Sequence, residues 1–213
     1  MQDRPYIVGI CGGSASGKTF LLDHLLQELP ESSVSIIFLD NYYKPRDKQI
    51  RDEEGIINFD HPESLYLDKL VEDVRAVIGG ETLIREEYTF NNPDAIPKQL
   101  TIRPAPILIL EGIFVFHPPE LQPLMDLKIF VEAHEYIKLA RRIRRDHAER
   151  GYTVESILVD YEKYVAPMYH KFIAPTKNSC DLIIPNHENM DMALTVLRNH
   201  MLTVLEKGHD KGE

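Results

Sequence analysis

Gly12-Gly13-Ser14-Ala15-Ser16-Gly17-Lys18-Thr19 reads G-x-x-x-x-G-K-[ST], the pattern of a phosphate-cradling loop. Each position has a physical task. Glycines let the backbone curl until successive N–H groups point inward at an anion. The lysine ammonium reaches the outer phosphates, and the threonine hydroxyl can ligate Mg²⁺. The flanks supply the context that the motif needs. Before it, Tyr6-Ile7-Val8-Gly9-Ile10-Cys11 is a short apolar run that reads as a buried strand. After it, Phe20, Leu21, Leu22, Leu25, Leu26 and Leu29 recur at helical spacing until Pro30 stops them. A helix that starts at the loop adds its N-terminal dipole to the anion site. The alternative is a glycine-rich turn that holds no ligand, and the strand–loop–helix order argues against it. Residues 12–19 are therefore expected to hold the phosphates of a nucleoside triphosphate.

Outside the loop, composition sets bounds. A chain of 213 residues can bury a full core and is most simply one domain, with residues 1–206 as its body and 207–213 as a polar tail. Hydrophobic content of 43% and charged content of 27% are ordinary for a soluble globular protein. The sequence contains no apolar run of about 18 residues, which excludes a membrane-spanning helix. Met1-Gln2-Asp3-Arg4-Pro5 has neither a basic region nor an apolar one, so no secretory leader is expected. Two cysteines, Cys11 and Cys180, make no disulfide framework and suit a reducing cytoplasm. The net charge of −10 argues against nucleic acid as the main partner. Residues 138–150 run against that balance, with Lys138, Arg141, Arg142, Arg144, Arg145 and Arg150 against Asp146 and Glu149. Such a patch reads as a phosphate clamp or, alternatively, as the solvated flank of a helix.

Further strand signals occur at residues 35–39, 107–110, 127–131 and 182–184, separated by helical stretches at 62–78, 134–150, 154–171 and 190–205. Continuous apolar strands alternating with helices predict an α/β doubly wound parallel sheet of the P-loop NTPase type. Residues 81–103 are less regular and read as a small β flap on the acceptor side, and 134–171 as a helical lid.

Two carboxylates stand where strands should end. Ile36-Ile37-Phe38-Leu39 runs into Asp40, which could accept a proton from an acceptor hydroxyl, hold Mg²⁺ or merely cap a turn. Ile107-Leu108-Ile109-Leu110 runs into Glu111-Gly112, which matches the acidic residue that serves Mg²⁺ beside Thr19, or else a plain surface glutamate. The two would meet over one triphosphate if their strands neighbour the first. Arg141, Arg142 and Arg145 share a helical face, and Gly151 suits a left-handed helix stop after Arg150. Guanidinium groups on a movable hairpin could close over the triphosphate and exclude water.

Asp40-Asn41-Tyr42-Tyr43, Asn58-Phe59-Asp60-His61-Pro62, Leu110-Glu111-Gly112-Ile113 and Arg141-Arg142-x-x-Arg145-Asp146-x-x-Glu149-Arg150-Gly151 resemble the uridine–cytidine kinase family. Pro175-Thr176-Lys177 and Asp181-Leu182-Ile183-Ile184-Pro185 extend the resemblance, which covers most of residues 5–189. It implies transfer of the ATP γ-phosphoryl group to a nucleoside 5′-hydroxyl with Mg²⁺, in pyrimidine salvage, by a homo-oligomer. It also implies that Asp40 is the base, that Lys18, Arg145 and Arg150 hold phosphates, and that Asn189 joins the ATP-binding set. Thr19, Glu111 and Asp40 would serve the metal, and Asp60 and Arg142 the ribose hydroxyls. Tyr43, Phe59, Tyr88 and Phe90 would wall the base pocket. From composition alone those four aromatics are equally ordinary core, and Asp60 could be a helix cap.

Three positions depart from the family pattern. Pro93 stands where a histidine reads the pyrimidine edge, Tyr152 where an arginine lies near the base, and Asp160 in place of a glutamine. Proline offers no side-chain donor, so edge recognition must come from elsewhere, with Asn91, Asn92 and Asp160 as candidates. The other readings are a P-loop kinase of another small alcohol, such as a sugar phosphate or pantothenate, and a non-catalytic ATP-sensing module. A sensor has no use for an acceptor base.

Overall fold

Five short hydrophobic segments pair into one parallel sheet in the order β2-β5-β1-β6-β7. They are β1 (Tyr6–Cys11), β2 (Val34–Phe38), β5 (Ile107–Glu111), β6 (Leu127–Glu132) and β7 (Leu182–Pro185). The structure, a computed structural model, describes residues 4–89 and 95–209. Alternation along each central strand sends side chains to opposite faces. Ile7, Cys11, Leu108 and Leu110 pack with α2 (Leu67–Ile78) through Leu70, Val71, Val74 and Val77. Val8, Ile10, Ile107 and Ile109 pack on the other face against α1 (Lys18–Gln27) and α6 (Asp191–His209). The result is a three-layer α/β fold of the P-loop NTPase type.

The central strands are buried on both faces, as continuous apolar runs require. The edges are not: alternate residues of β2 are only half-buried, and Leu182 and Ile183 of β7 are exposed. Edge strands have cover on fewer sides, so a uniform apolar run does not imply uniform burial. Boundaries shift for local reasons. Pro62–Ser64 forms a separate 3₁₀ turn, and α2 begins only at Leu67, because Leu65 and Tyr66 turn back to pair with Tyr43 and Tyr42. The final helix runs to His209, past the Lys207 at which a polar tail is expected.

Between α2 and β5, β3 (Leu83–Glu86) and β4 (Gln99–Ile102) form an antiparallel pair outside the main sheet. Asp73 of α2 anchors it. Arg85 Nε donates to Asp73 Oδ2 at 2.6 Å, and the Tyr42 hydroxyl donates to the same oxygen at 2.7 Å. That carboxylate and desolvation together hold the Tyr42 phenol well above its usual pKa.

After β6, α3 (Glu135–Arg150) ends on Gly151 with φ of 70°, the left-handed stop that a side chain would resist. Thr153 then caps α4 (Val154–Asp160) by accepting from Ser156 N at 3.1 Å. The helix continues through π-type turns at Tyr161–Val165 and Tyr169–Ile173, with one α turn, α5 (Ala166–Met168), between them.

Asp73→Asn is expected to cost roughly 2–4 kcal/mol, somewhat less than a fully buried broken pair because Arg85 stays partly solvated. Urea denaturation measures it, and amide exchange should rise in 83–86 and 99–102 before the central strands respond.

Candidate functional site

The phosphate loop owes its shape to backbone that side chains would obstruct. Gly12 (φ 147°) and Gly17 (φ 105°) both take positive φ. A Cβ at Gly12 would run into the Val131 carbonyl oxygen of β6. Gly17 is the cap of α1, whose first two residues are Lys18 and Thr19, so the helix N-terminus faces the loop. Lys18 is only 7% exposed. Its Nζ donates to the carbonyls of Gly12 (3.1 Å) and Gly13 (3.3 Å) and lies 3.8 Å from Glu111 Oε1.

Sheet register puts Glu111 there. Ile10 of β1 pairs with Glu111, and so does Phe38 of β2 from the other side. β2 therefore neighbours β5 and not β1, and Asp40 reaches the site across Glu111. Asp40 belongs to the 3₁₀ turn Leu39–Tyr42, one step beyond the strand. Burial pushes the Glu111 carboxyl up to about 7, with Lys18 opposing and Asp40 adding. Burial raises Asp40 as well, against Lys18, Arg150 and Arg145. Two partly desolvated carboxylates beside one ammonium favour an incoming cation or proton.

These groups open on one cavity of about 740 Å³. Ser14, Ala15, Gly17, Lys18 and Thr19 form its floor, and Asp40, Glu111, Arg142, Arg145 and Arg150 line it. On the opposite side stand Asp60 and three aromatics. Tyr43 and Tyr88 lie with ring centroids 5.2 Å apart, and Phe59 meets Tyr43 edge-on at 6.2 Å. Their shared wall has an apolar face, suited to a flat ring. Arg142 Nη1 is 3.9 Å from Asp60 Oδ1 and donates to Ser14 Oγ at 3.2 Å, bridging the loop to the aromatic side. Desolvation raises Asp60, with Arg142 opposing. Gly12, Gly13 and Ser16 belong to the same loop but do not line the cavity. Phe90, Asn91, Asn92 and Pro93 lie outside the described residues.

Asn189 is exposed on the turn before α6 and does not line the cavity. Three residues earlier, Asn186 does meet the loop: its Nδ2 donates to Ser16 O at 2.8 Å, and Arg141 binds Asn186 O at 3.3 Å. Both end groups are asparagine amides, and only the chain path after β7 distinguishes them. Tyr152 and Asp160 do line the cavity.

Sequence reasoning gave no part to Asp146, the carboxylate that orders the arginines. It is 1% exposed. Its oxygens lie 2.9 Å from Arg145 Nε, 3.3 Å from Arg150 Nη1 and 3.2 Å from Arg142 Nε. Within a basic run, an acidic residue gives no signal that it faces inward. Arg46 and Arg51 were missed too. They line the cavity from residues 44–57, a charged stretch without periodicity. That stretch is tied to the π-type turn Tyr161–Val165: the Tyr164 hydroxyl donates to Asp52 Oδ2 at 2.5 Å, and Lys163 Nζ sits 2.9 Å from the same oxygen.

Among the described residues no helix is long and apolar enough to cross a membrane. No group of three or more His, Cys, Asp or Glu gathers there as a metal site either. Thr19, Glu111 and Asp40 line the cavity together and present oxygen atoms only.

Fold and loop together define a P-loop α/β protein with an anion-binding floor, a carboxylate pair and an arginine-bearing helix. The chain belongs to the phosphoribulokinase/uridine kinase family, whose profile matches residues 7–193. It is 36% identical over 208 residues to uridine-cytidine kinase A of Dictyostelium discoideum, covering 97% of this chain and 41% of that protein. To the uridine kinase of Streptococcus pneumoniae (strain TIGR4) it is 33% identical over 210 residues, 99% of each. The structure of a possible uridine kinase from Bacillus stearothermophilus superposes with a TM-score of 0.62 at 17% identity, covering 86% of this chain and 90% of that one. A D-glycerate 3-kinase from Cryptococcus neoformans gives 0.55 at 14% identity, with 79% of each chain covered. At that identity the structures speak for the fold alone.

Glu111 makes the ligand-free protein sensitive to pH. Its folded pKa is raised, so its contribution to stability is complete below about 4.5 and is lost as pH climbs through about 7. Glu111→Gln is expected to flatten that dependence, gaining roughly 2–3 kcal/mol relative to wild type at pH 8 over pH 5. Denaturant titrations at the two pH values measure it.

Proposed function

We propose that this chain transfers the γ-phosphoryl group of ATP to the 5′-hydroxyl of a pyrimidine nucleoside, uridine or cytidine, giving UMP or CMP as in pyrimidine salvage. The observation that carries the reading is convergence: phosphate loop, Asp40, Glu111, arginine helix, and the Asp60–Arg142 and aromatic wall all open on one cavity. The relatives named uridine kinase and uridine-cytidine kinase support the nucleoside as acceptor.

In this mechanism the loop N–H groups, Lys18, Arg145 and Arg150 bind the triphosphate. Asp60 accepts from the ribose hydroxyls with Arg142 beside it, and Tyr43, Phe59 and Tyr88 flank the base. The nucleoside 5′-oxygen attacks the γ-phosphorus while Asp40 takes its proton. The bond from that phosphorus to the β–γ bridging oxygen breaks, and ADP leaves. The raised pKa of Asp40 brings it nearer the working pH, where a general base is most effective. Thr19, Glu111 and Asp40 would hold Mg²⁺, which when bound neutralises charge on the β- and γ-phosphate oxygens. Residues 134–171, acting as a lid, would exclude water, so that ATP is not lost to hydrolysis.

The net charge of −10 supports small molecules over nucleic acid as partners. Two free cysteines support a reducing, cytoplasmic setting.

ADP release from Mg·ATP, measured over a panel of nucleosides and small alcohols, tests the reading. Turnover should depend on uridine or cytidine, and Asp40→Asn should lower kcat by about 100-fold or more. ATP binding without turnover on any acceptor would refute the kinase reading. Turnover only on a sugar phosphate, pantothenate or purine nucleoside would refute the pyrimidine assignment. Asp146→Asn should lower kcat/KM at least about tenfold, because three guanidinium groups lose the carboxylate that aligns them.

A further inference from the structure

Lys138, in the first turns of α3, is a buried cation that the mechanism above does not use. The residue is 4% exposed, and its ammonium stands 3.4 Å from the centroid of the Tyr169 ring. Among the described residues it makes no ion pair and donates no hydrogen bond. The two glutamates that favour its charge are otherwise engaged. Glu132 Oε1 is 2.5 Å from Lys177 Nζ, and Glu135 Oε1 is 2.9 Å from His170 Nε2. A buried ammonium without a carboxylate is costly to keep, and the fold keeps this one.

Its location supplies the reason. A Cβ added at Gly13 would come within 3.0 Å of the Tyr169 ring and 3.3 Å of Lys138 Nζ. The lysine–tyrosine pair therefore stands directly against the phosphate loop, on residues that do not line the cavity. An aromatic face holds an ammonium without cancelling its charge, as a carboxylate would. The positive field remains directed at the loop.

We propose that Lys138, seated on Tyr169 behind Gly13, is a further phosphate-binding cation of this site, acting through space on the polyphosphate in the loop. The role rests on residues 12–19 as the triphosphate site. It predicts a dependence on ligand charge that packing alone does not produce. Lys18 touches the phosphates from within the cavity, whereas Lys138 adds its field through the thickness of the loop. Its surroundings are desolvated, so salt screens it weakly.

Isothermal titration calorimetry with ATP, ADP and AMP, on wild type, Lys138→Met and Lys138→Arg, tests the assignment. Lys138→Met should weaken ATP binding roughly 5- to 30-fold, ADP less and AMP least, and the ATP loss should persist at high salt. Lys138→Arg should retain most of the affinity. The Tm of ligand-free Lys138→Met should equal or exceed that of wild type, because an uncompensated buried charge has gone. Unchanged ATP affinity in Lys138→Met overturns the proposal, as does an equal loss for ATP and AMP with a lowered Tm. Lys138→Gln serves the same comparison should the methionine variant fail to fold. A wild-type protein that binds no ATP defeats the kinase reading and this role together. Binding by wild type that Lys138→Met leaves intact defeats only the role of the lysine.

Discussion

The ammonium of Lys18 is held between two loop carbonyls and the Glu111 carboxylate, and the site is arranged around that contact. It requires β5 to lie beside β1 in a register that ends both strands at the same level. It also requires a loop that turns its carbonyls toward the lysine, which Gly12 and Gly17 permit through positive φ. Every other functional group is placed relative to this centre. Asp40 reaches it because β2 pairs with the far side of β5, and the arginines reach it because α3 follows β6 directly.

Charge is distributed in two ranks. At the cavity surface, Lys18 and several arginines face the space that a polyphosphate would fill, with Asp146 as the common partner of Arg142, Arg145 and Arg150. Asp146 can order them without neutralising them, since one carboxylate serves three cations. Behind the loop, Lys138 rests on an aromatic ring instead of an acid. Both arrangements supply few carboxylates for their cations: Glu111 stands beside Lys18 and Asp146 and Asp60 beside the arginines, while Lys138 rests on a ring. Local stability is thereby exchanged for affinity toward an anion, as functional sites commonly do. The carboxylates mirror this, since Asp40, Asp60 and Glu111 are all raised by desolvation and poised to take up a proton, a cation or a hydroxyl donor.

Much of this was legible in the chain. Residues 12–19 could be assigned from residue types alone, because backbone curvature and a helix N-terminus leave a compositional trace. Apolar runs ending in Asp40 and Glu111 marked strand ends within one residue. Asp146 and Asn186 left no such trace, because what distinguishes them is the direction in which they face. Asn189 shows the converse: an amide at a plausible spacing, turned outward by the entry into α6. Arg46 and Arg51 lie in a charged stretch that is tied at Asp52 to Tyr164, more than a hundred residues away in sequence.

By itself the sequence determined the layer architecture and the phosphate loop, and it marked carboxylates and arginines that the structure gathers at one cavity. Hydrophobic period, glycine and chain-end chemistry are local properties of consecutive residues. Only the tertiary structure decided that β5 intervenes between β1 and β2, which arginines share Asp146, and that Lys138 stands on Tyr169 against Gly13. Those outcomes depend on strand order, helix rotation and the desolvation of particular side chains. None of these is written in any short segment of the chain, because each is fixed by packing between segments distant in sequence.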